Sequence, residues 1–249
     1  MSKELIKSTD TSLKSNGNDA IASILKGLLG VVPYAGSAFG ELIAWSIPNQ
    51  RIDRVCDYIE HLAIQISKIS DIQNSWIEKL KSSKSNLLIF ELAAKYSIET
   101  NSNTLHHCYA YFIFNSIENK TLEDSRNEKL LQTLSELKEE EIIHLISFRQ
   151  HKALGCSSEF DDKYKEIIMP KSRTDHIPEN DIHNAFRDEY ILTLEQKGLI
   201  TIIMKNNGTK LPISNNDVHI TDYGKLLVEA IYDENFFGKL NGASKHETE

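Results

Sequence analysis

The sequence predicts a mainly α protein: an N-terminal helical bundle holding an αα-hairpin, then a small α+β module. Three observations carry this. Apolar residues step by three or four from Ile21 to about residue 150, the period of a helix that buries one face. From Lys152 to Asn180 that rhythm breaks, with Gly155, Pro170, Pro178 and a charged run over 159–165. Beyond the break, a helical stretch leads into two short apolar runs and a last helix. The 249 residues suffice to bury a real core, and the interruption favours two domains. The expected boundaries are a disordered leader over 1–18, a helical domain over 19–151, a linker over 152–180, a C-terminal module over 181–237 and a disordered tail over 238–249.

Asn18 or Asp19 can cap a first helix whose apolar positions are Ile21, Ile24, Leu25, Leu28 and Val32, and Pro33 ends it. Ser37 can cap a second, with Phe39, Leu42, Ile43 and Trp45 as bulky positions and Pro48 as the stop. This αα-hairpin, residues 20–47, has Lys26 and Glu41 as its only charges and holds Gly27, Gly30, Gly36 and Gly40. Each arm of about 13 residues reaches about 20 Å, short of the roughly 30 Å of bilayer hydrocarbon. Arg51–Ile69 follows as a long amphipathic helix, then Leu87–Tyr96, the aromatic-rich His106–Ile117, Asn127–Leu137 and Glu139–His151. After the linker, Asp181–Lys197 reads as a helix with Phe186, Tyr190, Ile191 and Leu194 on one side, and Gly198 sits at its C′ position. Leu199–Met204 and Asp217–Ile220 read as strands around the turn residues Asn206, Asn207 and Gly208, and Thr221 caps the final helix.

A net charge of −8 without a basic stripe argues against a protein whose main business is nucleic acid. Cys56, Cys108 and Cys156 are too few and too scattered for a disulfide framework and read as small core residues of a reducing compartment. The polar start and the late apolar run predict no secretory signal, and no apolar run reaches the length of a constitutive membrane span. Any membrane association is therefore expected to be conditional.

Leu194-x3-Gly198-Leu199-Ile200, followed by Ile220-Thr221-Asp222-Tyr223-Gly224-Lys225-Leu226-Leu227, resembles the closing half of winged-helix domains. The whole chain, with its glycine-rich hairpin ending in Ile47-Pro48-Asn49-Gln50-Arg51-Ile52-Asp53-Arg54, is similar to bacterial proteins of the abortive-infection and phage-defence kind. That resemblance implies a cytoplasmic protein that stays harmless until a phage component triggers it, then oligomerises and permeabilises the inner membrane. The residues expected to meet lipid or a second copy are Leu25, Leu28, Leu29, Val32, Gly36, Phe39, Gly40, Leu42, Ile43 and Trp45. Gly36-x3-Gly40 would let another backbone approach closely, as helices do in lipid. Glycine costs about 0.5–1 kcal/mol in a helix interior, so this concentration calls for close packing or refolding. A tightly packed hairpin in the core of an ordinary bundle remains the competing use.

Other motifs carry less. Arg54 and His61 resemble the Arg-x(4–6)-His pair of HEPN-type ribonucleases, which implies acid/base work by His61 and phosphate contact by Arg54; Val55 departs from the polar residue usual there. His106 and His107 are adjacent and point about 100° apart, which does not match helical metal spacing, so no metal and no cofactor are expected. Glu195-x-Lys197 reads as a solvated helix face. As a DNA reader, the helix 181–197 would present Asp181, Asp188, Glu189 and Glu195 against Arg187 and Lys197, which favours a protein partner over nucleic acid. A transcriptional regulator and a structural interaction protein are the remaining alternatives.

Overall fold

A computed structural model describes residues 49–68, 73–119, 124–149, 158–171, 178–203 and 213–240. The leader, the hairpin 20–47 and its ten expected lipid-facing residues lie outside these. The described chain is mainly helical, with ten helices and one two-stranded sheet. It divides into two compact units, Met1–Ser135 and Glu136–Glu249.

The first unit holds α1 (Asn49–Ser67), α2 (Gln73–Ser82), α3 (Lys84–Ile98), α4 (Asn103–Asn119) and α5 (Asp124–Ser135). The three-or-four step of α1 places Tyr58, Leu62, Ala63 and Ile66 in the core, against Phe90 and Ala94 of α3 and Cys108, Phe112 and Ile113 of α4. Burying each large apolar side chain contributes about 1.5–3 kcal/mol. Helix α2 has no counterpart in the sequence reading, yet Trp76, Ile77 and Leu80 give it a buried stripe. Ser83 caps α3 by accepting from the Asn86 N–H at 3.3 Å, while Asn86 Nδ2 donates to the Lys79 carbonyl at 3.0 Å and joins the two helices. Cys56 is exposed rather than a core residue, because it falls on the solvent side of α1, whereas Cys108 is buried.

The second unit begins at Glu136, so α6 (Glu139–Ser147) groups with the C-terminal elements and not, as expected, with the helical domain. Residues 142–146 are buried all round, which periodicity alone could assign to either side. The stretch read as a linker contains α7 (Glu159–Ile168). Ser158 and Asp161 form a capping box at its start, and Phe160, Tyr164 and Ile168 are buried at four-residue steps. Helix α8 (Pro178–Gln196) follows, then β1 (Ile200–Ile202), β2 (Val218–Ile220), α9 (Asp222–Ile231) and α10 (Glu234–Phe237). The strands pair antiparallel with Ile200 opposite Ile220 and Ile202 opposite Val218. The start of the expected tail is held as well: Phe160 N–H donates to the Lys239 carbonyl at 3.2 Å and the Tyr232 hydroxyl to the Gly238 carbonyl at 2.6 Å.

Two local devices set the helix–sheet corner. Gly198, at φ +70°, ends α8 with bonds from its own N–H to the Glu195 carbonyl and from the Leu199 N–H to the Leu194 carbonyl, the Schellman pattern. Thr221 Oγ1 accepts from the Gly224 N–H at 3.0 Å and faces the Gly198 and Leu199 carbonyls at 2.7 and 3.0 Å. Gly224 is thereby pressed on the backbone just before β1, and a Cβ there would lie 2.1 Å from the Leu199 carbonyl oxygen. Gly224→Ala is expected to destabilise the chain by about 3 kcal/mol through forced backbone displacement. Gly198→Ala meets no neighbour within 4 Å and should cost only about 1–2 kcal/mol of left-handed backbone strain. Denaturant midpoints in the reverse order would contradict this packing.

Candidate functional site

Of the residues expected to act, Arg54 and His61 are described. They stand seven residues apart on one face of α1, about 10 Å along its axis. Arg54 Nη1 donates to the Ile98 carbonyl at 2.7 Å, at the C-terminus of α3, where a cation is favoured by the helix dipole. His61 Nε2 lies 2.8 Å from Asn103 Oδ1, at the start of α4. The two side chains thus hold opposite ends of the short α3–α4 connection. The ring of His61 meets His107 edge-on at 5.4 Å, and His107 stacks on Tyr111. His106 is 1 % exposed, with Nε2 3.1 Å from the Ser97 carbonyl and Nδ1 3.8 Å from Asp57 Oδ2. Burial lowers the His106 pKa; the Ser97 carbonyl and the Asp57 carboxylate pull it back up. Among the described residues no group of histidine, cysteine and carboxylate is arranged to hold a metal ion.

The second unit holds a more unusual arrangement on α8. Arg187 is 1 % exposed, whereas Phe186 and Ile182 are 59 % and 58 % exposed. This reverses the expectation that Phe186 packs inward with Ile191 and Leu194. Traced back by three or four residues, the buried stripe Leu194, Ile191 lands on Arg187 and Asn184, both buried. Remote acceptors make that tolerable. Arg187 Nε donates to the Ile168 carbonyl at 3.1 Å, and Nη1 donates to the Ile213 carbonyl at 2.9 Å and to Asp188 Oδ1 at 3.1 Å. Nη2 donates to Asn215 Oδ1. Asn184 completes the seam by accepting from the Lys171 N–H at 2.8 Å and donating to its carbonyl at 3.0 Å. Burial lowers the Arg187 pKa, and the Asp188 carboxylate opposes that shift. With Asn184 and Arg187 turned in, α8 has Ile182 and Phe186 left outside.

Beside them runs an open groove of about 300 Å³ lined by Glu140 of α6, Glu166 and Ile167 of α7, and His183, Phe186, Arg187 and Tyr190 of α8. Glu166 is ion-paired with Lys171, which lowers its pKa. The Tyr190 hydroxyl is raised in pKa by burial first and then by Glu140 and Glu141. Lys138 Nζ sits 5.9 Å from the Tyr190 ring centre. Ile182, Glu140 and Glu166 belong to no motif that marks them in the sequence. The available signal was the pair Ile182 and Phe186 at i and i+4, off the stripe that contains Leu194. Glu195 and Lys197, read as a solvated face, also bond the Ile202 N–H at 3.3 Å and Glu136 at 2.7 Å, the latter pair in an exposed position.

No protein-family model, curated protein or solved structure matches the chain.

The buried His106 yields a pH test. Its folded pKa lies below the ordinary value of 6.5, so the unfolded chain binds the proton more readily than the folded one. Its contribution is therefore intact at neutral pH and declines as pH falls through the unfolded value toward the lower folded one. Denaturant titrations at about pH 7.5 and about pH 5.5 should show the wild type losing more stability on acidification than His106→Gln. Equal losses would contradict the assignment.

Proposed function

We propose that the chain is a two-part bacterial anti-phage effector: its C-terminal unit senses a phage protein, and residues 20–47 then oligomerise and permeabilise the inner membrane. The observation that carries the reading is the composition of that segment, which pairs near-absence of charge with four glycines. Among the described residues no helix is long and apolar enough to cross a membrane, so the proposed lipid contact rests on residues 20–47 alone. The chain is cytoplasmic in this reading and reaches the inner membrane on activation.

The sensing role is supported by α8. In this reading the succession α8, β1, β2, α9 serves as a winged-helix-like module, with α8 as its recognition helix. Its Arg187 is buried and its Lys197 neighbour is paired with Glu136, while Glu179, Asp181 and Glu189 are exposed beside Ile182 and Phe186. Such a face repels phosphates and suits a protein, which weighs against a transcriptional regulator.

Cells expressing the full chain should depolarise when its trigger phage infects them. Gly36→Leu, which blocks close helix approach, and Leu28→Asp, which charges the apolar face, should each abolish depolarisation while leaving the protein folded and expressed. Depolarisation that persists in both variants would overturn the reading.

A ribonuclease toxin is the second reading, favoured by the placement of Arg54 and His61 along one helix face with His61 near the surface. It separates cleanly from a clamp on the α3–α4 connection. Acid/base chemistry requires imidazole, so His61→Ala and His61→Gln should both remove RNA cleavage and toxicity. If glutamine, which can still bond Asn103, restores full function, His61 is a positioning residue and the ribonuclease reading fails.

A further inference from the structure

The groove beside α8 faces solvent with a chemistry that singles out one class of ligand. Although Arg187 and His183 line it, neither recommends it for an anion. The Arg187 guanidinium is buried and already donates to Ile168, Ile213, Asp188 and Asn215. His183 Nε2 lies 3.2 Å from the Met169 carbonyl, and Lys171 is committed to Glu166. What remains is Glu140, a carboxylate with no ion pair among the described residues, which lines the groove together with Tyr190 and Phe186. A carboxylate beside aromatic rings suits a cation; Lys138 of the same chain already stands 5.9 Å from the Tyr190 ring centre, so Glu140 is the group left for an incoming one. The volume is at the bottom of the range for small-molecule pockets, which suits one long side chain better than a cofactor.

The surroundings extend this from a cation to a peptide. Ile182 and Phe186 are one helical turn apart, both more than half exposed, and lie on the surface leading to the groove. Large exposed apolar residues so placed are the anchors against which an amphipathic helix packs its own i, i+3 and i+4 positions. Glu179 and Glu189, exposed on the same helix, add negative charge at the rim.

We propose that this face binds a basic amphipathic segment of a partner protein, its apolar side on Ile182 and Phe186 and one lysine or arginine side chain in the groove against Glu140. The inference rests on the sensing role proposed for the C-terminal unit, and it names the chemistry of the trigger.

The full chain should be titrated calorimetrically with an amphipathic leucine–lysine peptide of about 14 residues, long enough to span the anchors, and with its leucine–glutamate counterpart. One leucine–lysine peptide is expected to bind per chain. Phe186→Ser should weaken it by about tenfold, and Glu140→Gln by about threefold with a shallower dependence on salt. Both positions reach solvent, so thermal unfolding should confirm that the variants remain folded. The proposal is overturned if the leucine–lysine peptide does not bind, if the leucine–glutamate peptide binds equally well, or if both substitutions leave affinity unchanged. The titration contains no lipid: a chain that shows the expected binding yet never depolarises cells supports the groove and removes only the effector reading.

Discussion

The second unit depends on keeping one guanidinium out of water. A buried charge carries a desolvation penalty of several kcal/mol, and only acceptors at correct geometry offset it. Arg187 collects them from three directions: the end of α7 at Ile168, the segment before β2 at Ile213 and Asn215, and its own neighbour Asp188. Asp188 in turn accepts from the Ile213 N–H at 3.0 Å, so the same cluster anchors the chain that returns to β2. Hydrogen bonds to a charged group contribute about 1.5–3 kcal/mol each, so these elements hold together only in the register that serves Arg187. The rotation of α8 follows from this, and Ile182 and Phe186 are turned outward as a consequence.

Much of the helical architecture was legible in apolar spacing. Helices α1, α3, α4, α5 and α8 appear within a few residues of their expected limits, and so do Gly198 as terminator and Thr221 as cap, since those signals are local. The misreadings share a cause. Helix α7 was hidden because charges at Asp161, Asp162, Lys163 and Lys165 surround a stripe of only three large residues, Phe160, Tyr164 and Ile168. Arg187 was placed at the surface and Phe186 in the core because hydrophobicity ranks them so, while the acceptors that reverse the ranking lie near residues 168 and 213–215. Likewise the spacing of Arg54 and His61 could be read, but their partners Ile98 and Asn103 could not. Contacts between segments far apart in sequence carry the information that periodicity lacks.

The two units present different chemistry. In the first, Arg54 and His61 tie α1 to the ends of α3 and α4, and His106 of α4 meets the Ser97 carbonyl of α3, so titratable groups serve a helix junction. In the second, an inward polar seam leaves Ile182 and Phe186 exposed on an apolar and acidic face, the one proposed above to meet another molecule. The proposed sensor requires a response, for which the proposal draws on the segment over 20–47, set apart from the rest of the chain by its glycines and scarcity of charge. Detection at α8 and action by that segment are the two halves of the proposed function.

Leakage of dye from sealed vesicles of inner-membrane lipid measures that action most directly. Purified full chain should leave them intact at neutral and mildly acidic pH and should empty them once lysate of the triggering phage is added. Vesicles that hold their contents under every one of these conditions would contradict the account.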